Sequence, residues 1–440
     1  MNDPIVRWPE ITAMAADVRT GRTPPAEPAR DALLRIGRDD RRWRAFTSTL
    51  PPAATGEGPL AGVPFGVKDN FDVRGRVTHA GTDGAGREPA GTTAAAITLL
   101  TRAGAVLVGT TNMSELACAA VTENPWYGVC RNPWDPSHGA GGSSGGSAAA
   151  VSGGLVPFAL GTDTGGSVLI PAALTGICGL RPTSGRISTA GVVLSSPTLD
   201  TVGVLAARVT DLRAVADVLG AQEPGPHGRA FPLPLAGLRV GVLHGWFRER
   251  CSAGVLAQVD GAVAELSSLG ARCEPVLLPG VEDVLAAGRT IVWAEAARGY
   301  REFTGGHTAN PAILRRLRDG DRISAADYRA AQDRRERWRR LVSRTFAEAD
   351  ILVSATTPST APRVGADQEE VTRTLVALTY PVSMAGTPAV SVPAGVSEGL
   401  PVGLQMIGPW DGERRLLDVA TVYLAAKYRG TAPVPGGGNG

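Results

Sequence analysis

Between Gly62 and about Leu205 glycine is dense, charge is sparse, and short apolar runs such as Ala105-Val106-Leu107-Val108 alternate with helix-like stretches such as Thr92 to Ala103. Apolar runs this short suit strands buried on both faces, so the segment predicts an α/β sheet with covered faces. The pattern recurs downstream. Leu238 to Leu243 reads as a buried strand, Gly254 to Leu269 as an amphipathic helix, Asp350 to Val353 as a strand, and Pro388 to Pro393 with Gly403 to Ile407 as two more. The expected architecture is a single large α/β/α sandwich around a mixed, mostly parallel β-sheet. At 440 residues and 43% hydrophobic, the chain is long and apolar enough to bury such a core.

The flanking sequence differs. Residues 1–55 carry mixed charge, Ala-rich periodic stretches and a break at Thr23-Pro24-Pro25, which predicts an N-terminal helical arm. The region 208–236 ends in Pro- and Gly-rich sequence and reads as a loop-containing junction. Residues 281–349 are helical in pattern and highly charged, and 433–440 predict a disordered tail. The run Arg334-Arg335-Glu336-Arg337-Trp338-Arg339-Arg340 has acidic residues interspersed around it, as a solvated helix face does.

Lys plus Arg total 44 against 42 for Asp plus Glu, so a net charge of +2 gives no general attraction for nucleic acid or membrane, and a small-molecule partner is expected. No apolar run approaches the roughly 18 residues of a membrane span, and the N-terminus lacks a signal-like pattern, so the cytoplasm is the expected compartment. The five cysteines, Cys118, Cys130, Cys178, Cys251 and Cys273, never form Cys-x-x-Cys. Neither a disulfide framework nor a zinc site is indicated, and they read as small buried apolar residues.

The most unusual local sequence is Gly141-Gly142-Ser143-Ser144-Gly145-Gly146-Ser147, which runs into Ala148-Ala149-Ala150. A flexible linker would not run straight into an apolar helix. A phosphate-cradling loop needs a Lys in fixed register after its last Gly, and none stands there. A third reading is a catalytic loop whose glycines allow tight turns around reactive serines. It gains from a second loop, Gly161-Thr162-Asp163-Thr164-Gly165-Gly166-Ser167, directly after the apolar run Val156 to Leu160. Gly-Gly-Ser after a strand can point successive N–H groups into one concavity, as an oxyanion hole requires.

A serine nucleophile needs a base. Of the five histidines only His138 lies near either loop, and its context reads as that of a loop residue rather than a base. Lysine is the other candidate. Lys68 stands in the apolar stretch Gly62 to Asn70 of a chain whose basic residues are overwhelmingly Arg. Burial would disfavour its charged form and let it accept a proton near neutral pH, whereas a Lys capping a strand or pairing with Asp69 would stay charged.

Together these segments resemble the amidase signature family over most of the chain. Asn132 to Asp135 with Gly141 to Ser147 resembles the family's glycine-serine signature. Gly161 to Ser167, Ile170 to Ala172 and Gly179 to Arg186 resemble its continuation. Pro64 to Asp69, Thr110 to Glu115, Leu199 to Gly203, Gly386 to Ala389 and Gly399 to Gln405 also fit.

The resemblance implies an amidase signature domain at 56–432, with a core at 62–205 and a variable helical substrate region at about 281–349. It implies Ser167 as nucleophile, Ser143 as bridging serine after a cis peptide bond, and Lys68 as general base. The N–H groups of Thr164, Gly165, Gly166 and Ser167 would form the oxyanion hole, Ser144 and Asp163 would brace the loops, and Ala117, Cys118 and Ala119 with Ser143 would line the substrate pocket. The implied activity is hydrolysis of a linear carboxamide through a Ser-Ser-Lys triad and an acyl-enzyme, with neither metal nor cofactor. A homodimer stays open.

Many family members carry an arginine two or three positions after the nucleophile, and this chain has Val168-Leu169-Ile170 there. A neutral acyl group is therefore expected. Ala140 replaces a common proline and Ser383 a common asparagine. Two further readings remain: the glutaminase subunit of a tRNA-dependent amidotransferase, and an acyl transferase or a hydrolase of esters, hydrazides or urea derivatives on the same fold.

Overall fold

The computed structural model describes residues 8–54, 56–221, 235–301 and 310–428, and the expected tail at 433–440 lies outside them. The strands are β1 (Phe46–Thr49), β2 (Pro64–Lys68), β3 (Val106–Thr111), β4 (Glu123–Asn124), β5 (Gly128–Val129), β6 (Phe158–Asp163) and β7 (Cys178–Arg181). They continue as β8 (Thr201–Ala206), β9 (Arg239–Leu243), β10 (Arg272–Val276), β11 (Ile351–Ala355), β12 (Ala389–Ser397) and β13 (Leu400–Ile407). Strands β4 and β5 form a small ribbon, and the others make an 11-stranded sheet in the order β1-β3-β2-β6-β8-β7-β12-β13-β11-β9-β10.

The sheet is mixed and helix-covered, as the alternating sequence predicts. Parallel pairing is confined to two blocks, β3-β2-β6 and β11-β9-β10, and everything between and β1 at the edge is antiparallel. The mostly parallel character expected from sequence holds only in those blocks. The cause lies in the connections: β12 and β13 are joined by the tight turn at Glu398-Gly399, with both residues at positive φ, which permits only an antiparallel hairpin.

Strands β2, β6, β7, β8, β11 and β13 are buried at every position, so their sequences show continuous apolar runs rather than alternation. Phe65 on β2 stacks on Phe158 of β6 with ring centroids 5.1 Å apart, and each fully buried ring contributes about 2 kcal/mol through area alone.

The N-terminal segment forms the helices Ile11–Arg19 and Glu27–Asp39 and then supplies β1 to the sheet, so it is not wholly helical. The junction expected at 208–236 begins with the helix Val209–Val218, whose Leu212, Val215 and Ala216 are buried; residues 222–234 lie outside the described set. The charged stretch holds the helices Val281–Gly299, Pro311–Asp321 and Ala325–Thr345. Asn310 caps the second through Ala312 N–H and Ser324 caps the third through Asp327 N–H. Among the described residues no helix is long and apolar enough to cross a membrane.

Candidate active site

Three strand ends meet at one edge of the sheet. Lys68 closes β2, Asp163 closes β6, and β8 begins at Thr201, which stands opposite Asp163 in the antiparallel register. The glycine-serine loop crosses this edge and continues as the helix Gly145–Ser152, every residue of which is buried. Small residues are needed there because a Cβ on Gly142 would come within 2.8 Å of the Val121 backbone. The Gly142–Ser143 peptide bond is cis, as the family resemblance implied.

Lys68 and Ser143 are both fully buried, and Lys68 Nζ lies 2.7 Å from Ser143 Oγ. The amine also donates to Thr162 Oγ1 at 2.8 Å, and Asn70 Nδ2 reaches the same hydroxyl at 3.2 Å. Burial lowers the Lys68 pKa from 10.5 to about 7, while Asp200, Asp163 and Cys118 oppose that shift. An amine at that value is neutral in a large fraction of molecules at neutral pH and can accept a proton. Asp69 does not pair with Lys68; it faces His79, whose Nδ1 is 3.3 Å from Asp69 Oδ2.

Ser167 is half-buried and sits beside this pair, with its carbonyl accepting the Ser144 N–H at 3.2 Å. Among the described residues no hydrogen bond joins Ser143 Oγ to Ser167 Oγ; the two serine loops are linked through Ser144, by its N–H to the Ser167 carbonyl and its hydroxyl to the Thr162 carbonyl. The fully buried and hydrogen-bonded members are thus Lys68 and Ser143, and the accessible one is Ser167.

Asp163 organises the second loop. Its Oδ1 accepts Gly166 N–H (2.9 Å) and Arg181 Nη1 (2.7 Å), and its Oδ2 accepts Val168 N–H (2.8 Å). Arg181 is itself fully buried and also donates to the Asp163 and Leu199 carbonyls. This corrects the four-amide set expected from sequence, because the Gly166 N–H is spent on Asp163. Thr164, Gly165 and Ser167 remain, and all three are half-buried. Ser144 Oγ donates to the Thr162 carbonyl at 3.2 Å and so ties the first loop to β6.

Ala117, Cys118 and Ala119 are half-buried and belong to a turn joined to the site through Ser114, whose N–H donates to the Ser143 carbonyl at 3.3 Å. Leu116 and Ala117 in that turn have positive φ. Burial pushes the Cys118 thiol up to about 12, so it stays protonated. All five cysteines are free; Cys130 and Cys178 are buried and the others partly so. His138 pairs with Asp135 at 2.9 Å, which makes it a loop residue.

Sequence reasoning missed four residues. Thr162 holds the amine of Lys68, and strand parity in the second loop motif would have pointed to it. Thr379 Oγ1 donates to the Gly165 carbonyl at 2.7 Å, and the Tyr380 ring lies so close to Gly165 that a Cβ there would meet it at 3.0 Å. Arg181 lies inside the stretch Gly179 to Arg186, where nothing local says that its guanidinium turns inward onto Asp163. Among the described residues no group of His, Cys, Asp or Glu is arranged to hold a metal ion. A cavity of about 310 Å³ opens beside Asp69 and His79, away from Ser143 and Ser167.

A family model described as Amidase matches residues 24–417. The chain is 36% identical over 455 residues to a glutamyl-tRNA(Gln) amidotransferase subunit of Symbiobacterium thermophilum, covering 94% of this chain and 93% of that protein. It is also 36% identical over 431 residues to the AtzE subunit of 1-carboxybiuret hydrolase from Pseudomonas sp., covering 90% and 93%. Among solved structures, 6-aminohexanoate cyclic dimer hydrolase complexed with substrate matches with a TM-score of 0.86 at 28% identity, over 95% of this chain and 97% of that one.

Proposed function

The chain belongs to the amidase signature family of amidohydrolases, and from that premise we propose that it cleaves the C–N bond of a small carboxamide with a neutral acyl group, using Lys68, Ser143 and Ser167. The observation that carries the reading is the buried 2.7 Å contact between Lys68 Nζ and Ser143 Oγ, with an amine whose pKa is lowered to about 7.

Neutral Lys68 takes the Ser143 hydroxyl proton as Ser143 takes that of Ser167. The Ser167 oxygen attacks the carbonyl carbon, and the oxygen of the tetrahedral intermediate is held by the amides of Thr164, Gly165 and Ser167. The proton then returns through Ser143 to the leaving nitrogen, the C–N bond breaks, and an acyl-Ser167 ester remains. Water, deprotonated by the same relay, cleaves the ester and restores the enzyme. The half-buried turn Ala117–Ala119 borders the pocket for the acyl group.

Val168, Leu169 and Ile170 are fully buried, so no cation reaches the site from the positions where an arginine is common in the family. That supports a neutral acyl substrate. The likeness to a glutamyl-tRNA(Gln) amidotransferase component favours a second reading, in which the chain releases ammonia from glutamine for a partner protein. Incubating the isolated chain with a panel of alkyl and aryl carboxamides and with glutamine, and following ammonia, separates the two. Turnover of simple amides without a partner is the expected result. Turnover of glutamine alone, and only with a partner present, overturns the first reading.

A further inference from the structure

The carboxylate of Asp200 has no part in the relay, yet it is buried at the same sheet edge as Lys68. Asp200 directly precedes Thr201, which pairs with Asp163, and β6 lies between β8 and β2. Its Oδ2 accepts the N–H groups of Ser195 (2.7 Å) and Ser196 (3.0 Å). The Thr164 hydroxyl is its side-chain hydrogen-bonding neighbour, its Oδ1 is buried, and among the described residues no arginine or histidine pairs with the carboxylate.

The turn that carries Asp200 is itself clamped from the helical segment. Glu295, on the helix Val281–Gly299, accepts Ser196 Oγ (2.6 Å) and Thr198 N–H (3.2 Å) on one oxygen. The other accepts Thr198 Oγ1 (2.8 Å) and the Tyr328 hydroxyl (2.6 Å). Arg335, buried on the helix Ala325–Thr345, donates to the Thr198 carbonyl at 3.0 Å. The N–H and hydroxyl donors around Asp200 favour the ionised carboxylate, and with no arginine or histidine to neutralise it, a cation that forms nearby gains from that charge.

We propose that Asp200 is a positioning residue for the base: it stabilises the ammonium form of Lys68 that arises once the Ser167 proton has moved inward, and Glu295 holds the turn that aims it. The inference rests on the relay proposed above. It also gives the helical segment a part in the chemistry, through Glu295 and Ser196.

The surrounding charges single out Asp200. The charged or titratable groups whose fields reach Lys68 are Asp200 on the Ser195–Asp200 turn, Asp163 at the end of β6, and Cys118 in the Ala117–Ala119 turn. The Asp163 charge is taken by Arg181 at 2.7 Å, and the Cys118 thiol is neutral. Around Asp200 stand the Thr164 hydroxyl and Lys68, and the phenols of Tyr300 and Tyr380, both pushed up by burial, are neutral. Burial raises the Asp200 carboxyl to about 6, just below the Lys68 value, and Asp200 opposes the lowering of Lys68 more than any other group.

The chain contains two lysines, Lys68 and Lys427, so enzyme carrying 13C at lysine Cε gives two side-chain signals, assigned with Lys427→Arg. In the wild type the Lys68 signal should titrate near 7. Asn at position 200 can still accept from Ser195 and Ser196, so Asp200→Asn should keep the turn while lowering the Lys68 midpoint by about half a pH unit or more. The acid limb of kcat/KM should move down with it, and kcat should fall while KM changes little. Glu295→Ala should move the midpoint the same way by less.

A Lys68 midpoint that is unchanged or raised in Asp200→Asn overturns the inference. Should that variant fail to fold, the wild-type titration decides: coupling to a carboxylate adds a second, lower inflection to the Lys68 curve, and a single inflection overturns it. Because the midpoint is read without turnover, a shifted midpoint in an enzyme inactive on every amide would contradict the relay and not the pairing of Asp200 with Lys68.

Discussion

The glycine-dense core and the helical segment 281–345 treat polar side chains in opposite ways. In the core, Lys68, Ser143, Thr162, Asp163 and Arg181 are all buried and each is hydrogen-bonded within the sheet edge. In the helices, charged residues such as Arg334, Glu336, Arg337 and Arg340 face solvent, while Leu317, Ala331, Trp338 and Val342 face inward. Glycine and alanine explain the difference: they let backbones approach closely enough to satisfy buried polar groups, whereas a helix with large side chains buries a stripe and sends its charges outward. Glu295 and Arg335 are the exceptions, and both contact the turn that leads to Asp200.

If that contrast is right, substitutions in the core should be costly and matched ones on the helices cheap. Lys68→Met keeps the bulk and removes the base, and turnover should fall about a thousandfold or more, measured as ammonia release. Asp163→Asn leaves Arg181 buried with an uncompensated charge, so stability in urea unfolding should drop by about 3 kcal/mol, with activity lost as the Ser167 loop loosens.

The pH dependence sharpens the same point. The folded-state pKa of Lys68 is about 7, below its ordinary 10.5, so between those values the unfolded chain binds the proton and the folded chain does not. Stability from this group therefore rises with pH through that window and is flat below it. Measured at pH 7.5, 8.5 and 9.5, wild type should gain about 1.4 kcal/mol per pH unit relative to Lys68→Met. At the other end of the scale, the Arg340 side chain makes only an exposed pair with Glu336 at 3.5 Å among the described residues, and Arg340→Ala should stay within about 0.5 kcal/mol of wild type. A cost for Arg340→Ala approaching that of Asp163→Asn would break the comparison.

The legibility of the sequence follows the same division. Short apolar runs revealed the covered sheet because β2, β6 and β8 are buried on both faces, and the two Gly-Ser loops stood out because their residues meet locally. Strand direction was not legible: the two runs Pro388 to Pro393 and Gly403 to Ile407 read as strands, but the hairpin that pairs them depends on the two-residue turn at Glu398-Gly399. Nor was the use of the Gly166 amide, since nothing in Gly165-Gly166-Ser167 says which N–H the Asp163 carboxylate takes. Thr379, Tyr380 and Glu295 escaped for a third reason. Glu295 and Thr379, with Tyr380 beside it, reach the site from 99 and 214 positions away through packing, and no local pattern announces such contacts.

The central claim is that Ser167 carries the acyl group while Lys68 and Ser143 supply the base. It is tested most directly by intact-mass and peptide-level mass spectrometry of wild type and Ser167→Ala, each quenched during turnover of an activated aryl carboxamide. Wild type should gain the mass of the acyl group on the peptide that contains Ser167, and Ser167→Ala should show neither adduct nor ammonia. Turnover that survives in Ser167→Ala, or an adduct on another residue, would contradict it.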